Sequence, residues 1–359
     1  MNNVFLISFV AVALLGCSKE VPKSADVANP NAQHSSESAN SFIPSDPSEV
    51  TVIETAEIKD KLKIRAESAG YFAAKDFSKL DDLANNYRTS KACSVSGVWK
   101  LESVYTGIIP DEANSDDTWK QTLAMLHDWI QAKPDSITAR VALADTLVSY
   151  AWKARGSGYA NTVTETGWKF LGERLTEAVI VLKDAEHLQE KCPLTWYVMM
   201  SAALGLGVDK ARYETLFQKA IASEPDFTGY YFAKAYYLSP RWHGNPGDMA
   251  AFLQKAADQI GGEDGDLFYA RVAWYVQCLT GDVFDDPTLS WARVDRGFEV
   301  MEKRFPDSAY AQNGRAYMAV MGSDKMNAPR RLVGALHGQI DLVEWTSITN
   351  FLRLTKDLH

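Results

Sequence analysis

Apolar residues recur along most of this chain at intervals of three and four, the spacing that gathers them on one side of an α-helix. Phe77, Leu80, Ala84 and Tyr87 form one such stripe, Trp119, Leu123, Leu126 and Ile130 a second, and Leu171, Leu175, Val179 and Leu182 a third. Strand-like alternation is nearly absent, and a hairpin is expected only between residues 95 and 109, around Gly97 and Trp99. Helix starts are marked too. Thr162-Val163-Thr164-Glu165 has the spacing of a capping box, and Asn245-Pro246-Gly247-Asp248 sets a cap, a first-turn proline and an early acid ahead of another helix. Lys133-Pro134-Asp135-Ser136, Glu224-Pro225-Asp226-Phe227 and Phe305-Pro306-Asp307-Ser308 share one turn, in which proline stops a helix and Asp or Ser caps the next; Cys192-Pro193-Leu194-Thr195 is a looser fourth.

Helices joined by such turns come in pairs. From Pro193 to Pro225 the spacing approaches the roughly 34 residues of a tetratricopeptide repeat, with Tyr197, Ser201, Leu204, Phe217 and Ala220 at its small and aromatic places. Other spacings are longer and irregular. The expected fold is therefore all-α, with stacked helical hairpins forming a tetratricopeptide-like solenoid or a compact helical array.

The first residues carry a different pattern. The apolar run at positions 4–15 is shorter than the roughly 20 residues a membrane-crossing helix needs, and it ends in Leu14-Leu15-Gly16-Cys17. That reads as a lipoprotein signal, with Gly16 as the small residue before the cut and Cys17 as the thiol that takes lipid. The absence of Lys or Arg before the run and the bulk of Leu15 depart from the usual pattern. Residues 18–48 are rich in Ser, Asn, Ala and Pro and bury too little to order themselves. The chain thus divides into a signal peptide at 1–16, a flexible tether from lipidated Cys17 at 17–49, and a helical body at 50–359. Ser18 after the Cys, where Asp would retain such a protein at the inner membrane of Gram-negative bacteria, points to the outer membrane, facing the periplasm.

Composition narrows the partners. The chain has 359 residues, 46% of them hydrophobic, and a formal charge of -9. Such an acidic surface disfavours nucleic acid and anionic lipid, so membrane contact is expected through the lipid anchor only. Cys93, Cys192 and Cys278 remain after lipidation and allow at most one bridge, and whether Cys93 and Cys192 form it is open. Cys278 lies in an apolar helical run and reads as a small buried hydrophobe.

Several stretches resemble a known family. They are Gly97-Val98-Trp99-Lys100-Leu101 with Tyr105-Thr106-Gly107, then Ala139-Arg140-Val141-Ala142-Leu143-Ala144, and the run from Tyr150-Ala151-Trp152-Lys153 through Ala154-Arg155-Gly156-Ser157-Gly158-Tyr159-Ala160. Gly167-Trp168, Cys192-Pro193-Leu194-Thr195-Trp196-Tyr197 and Tyr236-Tyr237-Leu238-Ser239-Pro240-Arg241-Trp242-His243-Gly244 complete the set. From about residue 60 to 335 the chain is similar to the bacterial domain-of-unknown-function 4034 family. The resemblance implies an all-helical, tetratricopeptide-like fold, often on secreted or lipid-anchored chains, and it implies no reaction.

Catalytic signatures are missing. The six His residues are scattered without a His-Glu-x-x-His pair, no Cys-x-x-Cys occurs, and there is no P-loop or Gly-x-Ser-x-Gly elbow. Acidic runs such as Asp264-Gly265-Asp266 lack calcium-loop spacing, so no metal and no cofactor is expected. Two segments stand out as candidate binding surfaces. One ends a helix at Trp152 and Arg155 and runs through Gly156 and Gly158 to Tyr159, with Trp168 beyond; the other crowds Tyr236, Arg241, Trp242 and His243 beside Pro240. Packing explains the same residues: Arg155 and Gly156 as a helix end, Trp152 and Trp242 as core, and Arg241 or His243 bonding free helix-end groups. The preferred expectation is a cell-envelope lipoprotein that binds or scaffolds a protein or peptide. The alternative is an enzyme of unrecognised type with a site among Arg155, Tyr159, Arg241, Trp242 and His243.

Overall fold

The computed structural model describes residues 42–281, 283–322 and 327–358. Within them the chain forms α1 (Ala56–Ala73), α2 (Phe77–Ser90), α3 (Leu101–Thr106), α4 (Asp116–Ala132), α5 (Ile137–Arg155), α6 (Glu165–Asp184), α7 (Pro193–Gly205) and α8 (Lys210–Ser223). There follow α9 (Gly229–Tyr237), α10 (Asp248–Ile260), α11 (Gly262–Thr280), α12 (Trp291–Arg304), α13 (Ala309–Gly322), α14 (Asn327–Ala335), α15 (Leu342–Trp345) and α16 (Ile348–Thr355). Two short strands, β1 (Thr51–Val52) and β2 (Gln339–Ile340), pair in parallel. The fold is all-α in its architecture.

The three apolar stripes lie on α2, α4 and α6, and each turns inward: Leu80 and Ala84, Trp119 and Leu126, Leu171 and Leu175 are at most 2% exposed. The proline turns work as their chemistry requires. Ser136 caps α5 by accepting from the Ala139 N–H at 2.9 Å, Ser308 accepts from the Ala311 N–H at 3.1 Å, and Pro193 occupies the first turn of α7. Two caps differ from expectation. Thr164, not Thr162, caps α6 through the Gly167 N–H, because residues 160–162 form a separate 3-10 turn. Before α10 the cap is Gly247 at φ 89°, and Asp248 bonds back to the Asn245 backbone and side chain, so Asn245 is held by the helix it was expected to cap.

Helices α5, α7, α9, α11 and α13 pack side by side as an inner row, and α6, α8, α10, α12 and α14 each lie on their partner from outside. A tetratricopeptide-like row of this kind would offer a concave groove. Here the row closes instead. Helix α1 packs on α13, β1 pairs with β2, Ser308 donates to Glu57 at 2.6 Å, and the Ile53 N–H donates to the Ile340 carbonyl at 2.9 Å. The inner side is filled by residues 92–108. The expected hairpin there shrinks to one bridge between Cys93 and Trp99 around Gly97, and the chain then turns into α3. Arg271 of α11 donates to the Ser96 carbonyl, Trp99 meets Phe227 edge-on at 5.4 Å, and Ser68 of α1 donates to the Val104 carbonyl at 2.6 Å. The compact array is the form realised, and the groove of an open solenoid is occupied by the chain itself.

The folded body also starts earlier than residue 50. Ile43 and Val50 pack on a C-terminal cluster that includes Leu332, Ile340, Trp345 and Phe351, and Asp46 caps a turn at Pro47–Glu49 in a reciprocal box. The expected signal peptide, Cys17 and the expected tether up to residue 41 lie outside the described residues. Cys192 is a free, buried thiol 3.5 Å from the Tyr105 hydroxyl, so Cys93 and Cys192 are not bridged. Burial raises its pKa. Cys278 is also free and partly buried, 4.0 Å from a Glu344 carboxyl oxygen.

Candidate functional site

At the end of α5 the residues of interest meet around one guanidinium. Gly156 takes φ 73° and ends the helix, its N–H returning to the Trp152 carbonyl at 3.0 Å. The Arg155 side chain then reaches over the turn, and its Nη1 donates to the Gly156 and Gly158 carbonyls, both at 2.9 Å. Its guanidinium carbon lies 5.8 Å from the Trp152 ring centroid, 5.7 Å from Trp168 and 5.4 Å from Trp242. Within this distance each indole face attracts the cation. Burial lowers the Arg155 pKa from its ordinary value, with the nearby Tyr236 opposing. Its Nε is buried and makes no hydrogen bond among the described residues.

Trp242 arrives from the connection after α9. That connection folds back on the helix end: the Trp242 N–H donates to the Ser239 carbonyl at 3.0 Å and the His243 N–H to the Tyr237 carbonyl at 3.1 Å. Only glycine fits at Gly244, where a Cβ would sit 1.7 Å from the Leu238 carbonyl oxygen. So placed, Trp242 wedges edge-on against Trp152 at 5.3 Å and against Tyr236 at 5.7 Å. His243 points elsewhere. Its ring stacks on Tyr237 at 4.6 Å and its Nε2 lies 3.2 Å from the Leu204 carbonyl, one of the last acceptors of α7. Since a carbonyl only accepts, that nitrogen carries the proton. Arg241 is exposed, and Tyr159 is exposed at 79% on the turn that Arg155 holds.

Arg155, Trp168, Tyr236 and Trp242 are thus brought together. Tyr159 stands at their outer edge and His243 serves a helix end. On α6 Trp168 is 42% exposed beside Arg155; on the opposite flank of the helix Phe170 is 37% exposed, and the Arg174 guanidinium lies 4.7 Å from its ring while donating to the Tyr150 carbonyl at 2.8 Å. Tyr159 and Trp168 therefore share an exposed corner with Arg155, while Phe170 and Arg174 lie on the other flank of α6.

A second polar group lies inside the array and was not singled out from the sequence. Asp145 of α5 is 2% exposed, and burial alone pushes its carboxyl up to about 7. Tyr197 of α7 senses its charge and hydrogen-bonds Tyr275 of α11, which in turn faces Glu102 of α3 and Tyr236. Lys61 of α1 faces Glu102; burial lowers its pKa and the carboxylate opposes that shift. The available signal was a lone acid inside the apolar run Ala142-Leu143-Ala144-Asp145.

Among proteins already known, the family model described as Domain of unknown function (DUF4034) matches residues 65–225. Asp145, Trp152, Arg155, Trp168 and Tyr197 lie within that span, whereas Tyr236 and Arg241-Trp242-His243 lie beyond it, so the match is shorter than the stretch the motifs suggested. No curated protein and no solved structure matches the chain.

Proposed function

We propose that this chain, whose residues 65–225 match the DUF4034 family model, is a cell-envelope lipoprotein that binds a protein or peptide partner at the Tyr159–Trp168 corner. One observation carries the reading: two rings that the core does not need, Trp168 exposed by 42% and Tyr159 by 79%, stand beside an arginine anchored to backbone carbonyls. Trp, Tyr and Arg dominate the energetics of protein interfaces, because they bring large apolar area with a polar handle. Anchoring matters as well. Arg155 is already held, so a partner meets an ordered surface and loses less entropy on docking.

Against an enzyme at this corner stands the use of its polar groups. Arg155 Nη1 is spent on two carbonyls and His243 Nε2 on a third, which leaves an aromatic surface rather than a converging set of acid and base. The envelope reading rests on the sequence at 1–17, and among the described residues no helix is long and apolar enough to cross a membrane.

A photo-crosslinking amino acid placed at Tyr159 in cells tests the binding site. A discrete cross-linked partner is expected, lost several-fold in Trp168→Ala without a change in melting temperature. No discrete adduct, or one indifferent to Trp168→Ala, would remove this corner as the docking face. Metabolic labelling with a fatty acid tests the anchor: the label should vanish in Cys17→Ser, and a label that persists there refutes lipidation at that residue.

A further inference from the structure

A cleft opens on the opposite side of α9. Helices α8 and α10 flank α9 from outside without closing over it, and the space between them, about 330 Å³, is walled by Tyr213, Glu214, Lys234, Tyr237, Phe252 and Lys255. Both ends are shut. At one, Lys210 of α8 pairs with Asp248 of α10 at 2.5 Å; at the other, Phe217 meets Phe252 at 5.7 Å. This volume falls at the lower end of the range for small-molecule sites, ~300–1,000 Å³.

The floor holds a buried cation. Lys234 is 8% exposed, its ammonium 4.0 Å from the Phe217 centroid and 4.5 Å from Phe252, and it pairs with Glu214. Lys255 stands on the α10 wall, close enough that its charge acts on both Lys234 and Glu214. Among the described residues it has no ion-pair partner. With Lys210 matched by Asp248 and Lys234 by Glu214, the cleft carries one ammonium in excess, on a chain whose formal charge is -9. The walls are otherwise apolar: Tyr213 and Tyr237 stack at 3.7 Å, with Leu238 and Ala251 beside them.

We infer that the cleft between α8 and α10 binds a small organic monoanion, a carboxylate whose flat apolar body lies against Tyr237 and Phe252 and whose charged head meets Lys255 and Lys234. Charge balance selects one negative charge over the two of a phosphate monoester, and the aromatic walls select an apolar body over a bare inorganic ion. The site is separate from the Tyr159 corner and does not depend on it.

Calorimetric titration of the full chain with 2-naphthoate tests the assignment. Saturable one-site binding is expected, weakened at least ten-fold by Lys255→Glu, which changes only an exposed side chain, and by Ala251→Trp, which fills the space and leaves every charge. Both variants should melt as the unaltered protein does. The neutral 2-naphthamide should show no saturable binding. Unsaturable heat with naphthoate, equal binding by Lys255→Glu or Ala251→Trp, or equal binding of the amide would overturn the proposal. Inorganic phosphate binding as tightly as naphthoate would overturn the assigned ligand class.

Discussion

Asp145 and Glu344 show what burial does to a single carboxyl. Burial is the whole cause at Asp145, pushed up to about 7, and the main cause at Glu344, pushed up to about 8 against hydrogen bonds from Trp274 and Tyr310. In the unfolded chain both titrate near their usual value of about 4. Below that pH each state keeps its proton and nothing is lost. As pH rises toward 7 or 8 the unfolded chain ionises first, so stability falls, by at most about 1.4 kcal/mol per group per pH unit. Asp145→Asn and Glu344→Gln should therefore melt above the unaltered protein at pH 8 and level with it near pH 4. Melting curves across that range decide the matter, and variants that melt lower at pH 8 would contradict the assignment. The aromatic corner gives a second residue-scale prediction. Trp242→Ala strips a ring packed on Trp152 and Tyr236 and should cost about 3 kcal/mol, whereas His243→Ala loses one bond to a helix-end carbonyl and should cost about 1 kcal/mol. Denaturant titration of the two variants measures the difference.

Elements differ in how much of their environment the local sequence carries. Two glycines at positive φ make the contrast measurable. Gly156 at φ 73° and ψ 179° faces open space, so Gly156→Ala meets backbone strain alone, about 1–3 kcal/mol. Gly97 at φ 79° lies inside the array, where a Cβ would come within 2.7 Å of the Phe305 ring, and Gly97→Ala should cost distinctly more. Equal losses would mean that residues 92–108 are not seated as described. The same contrast explains what could be read from the chain beforehand. Helices α2, α4 and α6, and the turns at Ser136 and Ser308, follow from periods and caps that neighbouring residues supply. Strands β1 and β2 have two residues each and pair across almost the whole chain, so no local period marks them. The corner around Arg155 was legible because its glycines, arginine and aromatics are themselves unusual, although its geometry depends on Trp242 arriving from a distant turn. The Lys234 cleft was not legible, since it is a gap between helices rather than a pattern within one.

For the whole molecule the decisive feature is closure. In an open row of hairpins each unit touches its neighbours only, stability adds up locally, and damage at one end leaves the other end intact. Here the start and end of the body hold each other. Ile43, Pro44 and Val50 lie at the C-terminal segment, β1 pairs with β2, and Glu57 accepts from Ser308 at the head of α13. Removing the residues before α1 should therefore loosen structure more than 250 positions away. A chain beginning at residue 42 is expected to protect its amides at 327–358 from hydrogen exchange. One beginning at residue 56 should exchange there at least ten-fold faster while α5 to α8 keep most of their protection, because Leu332, Ile340 and Phe351 lose their covering and β2 loses its partner. If both chains protect 327–358 equally, the C-terminal hairpins stand alone and the array behaves as an open solenoid.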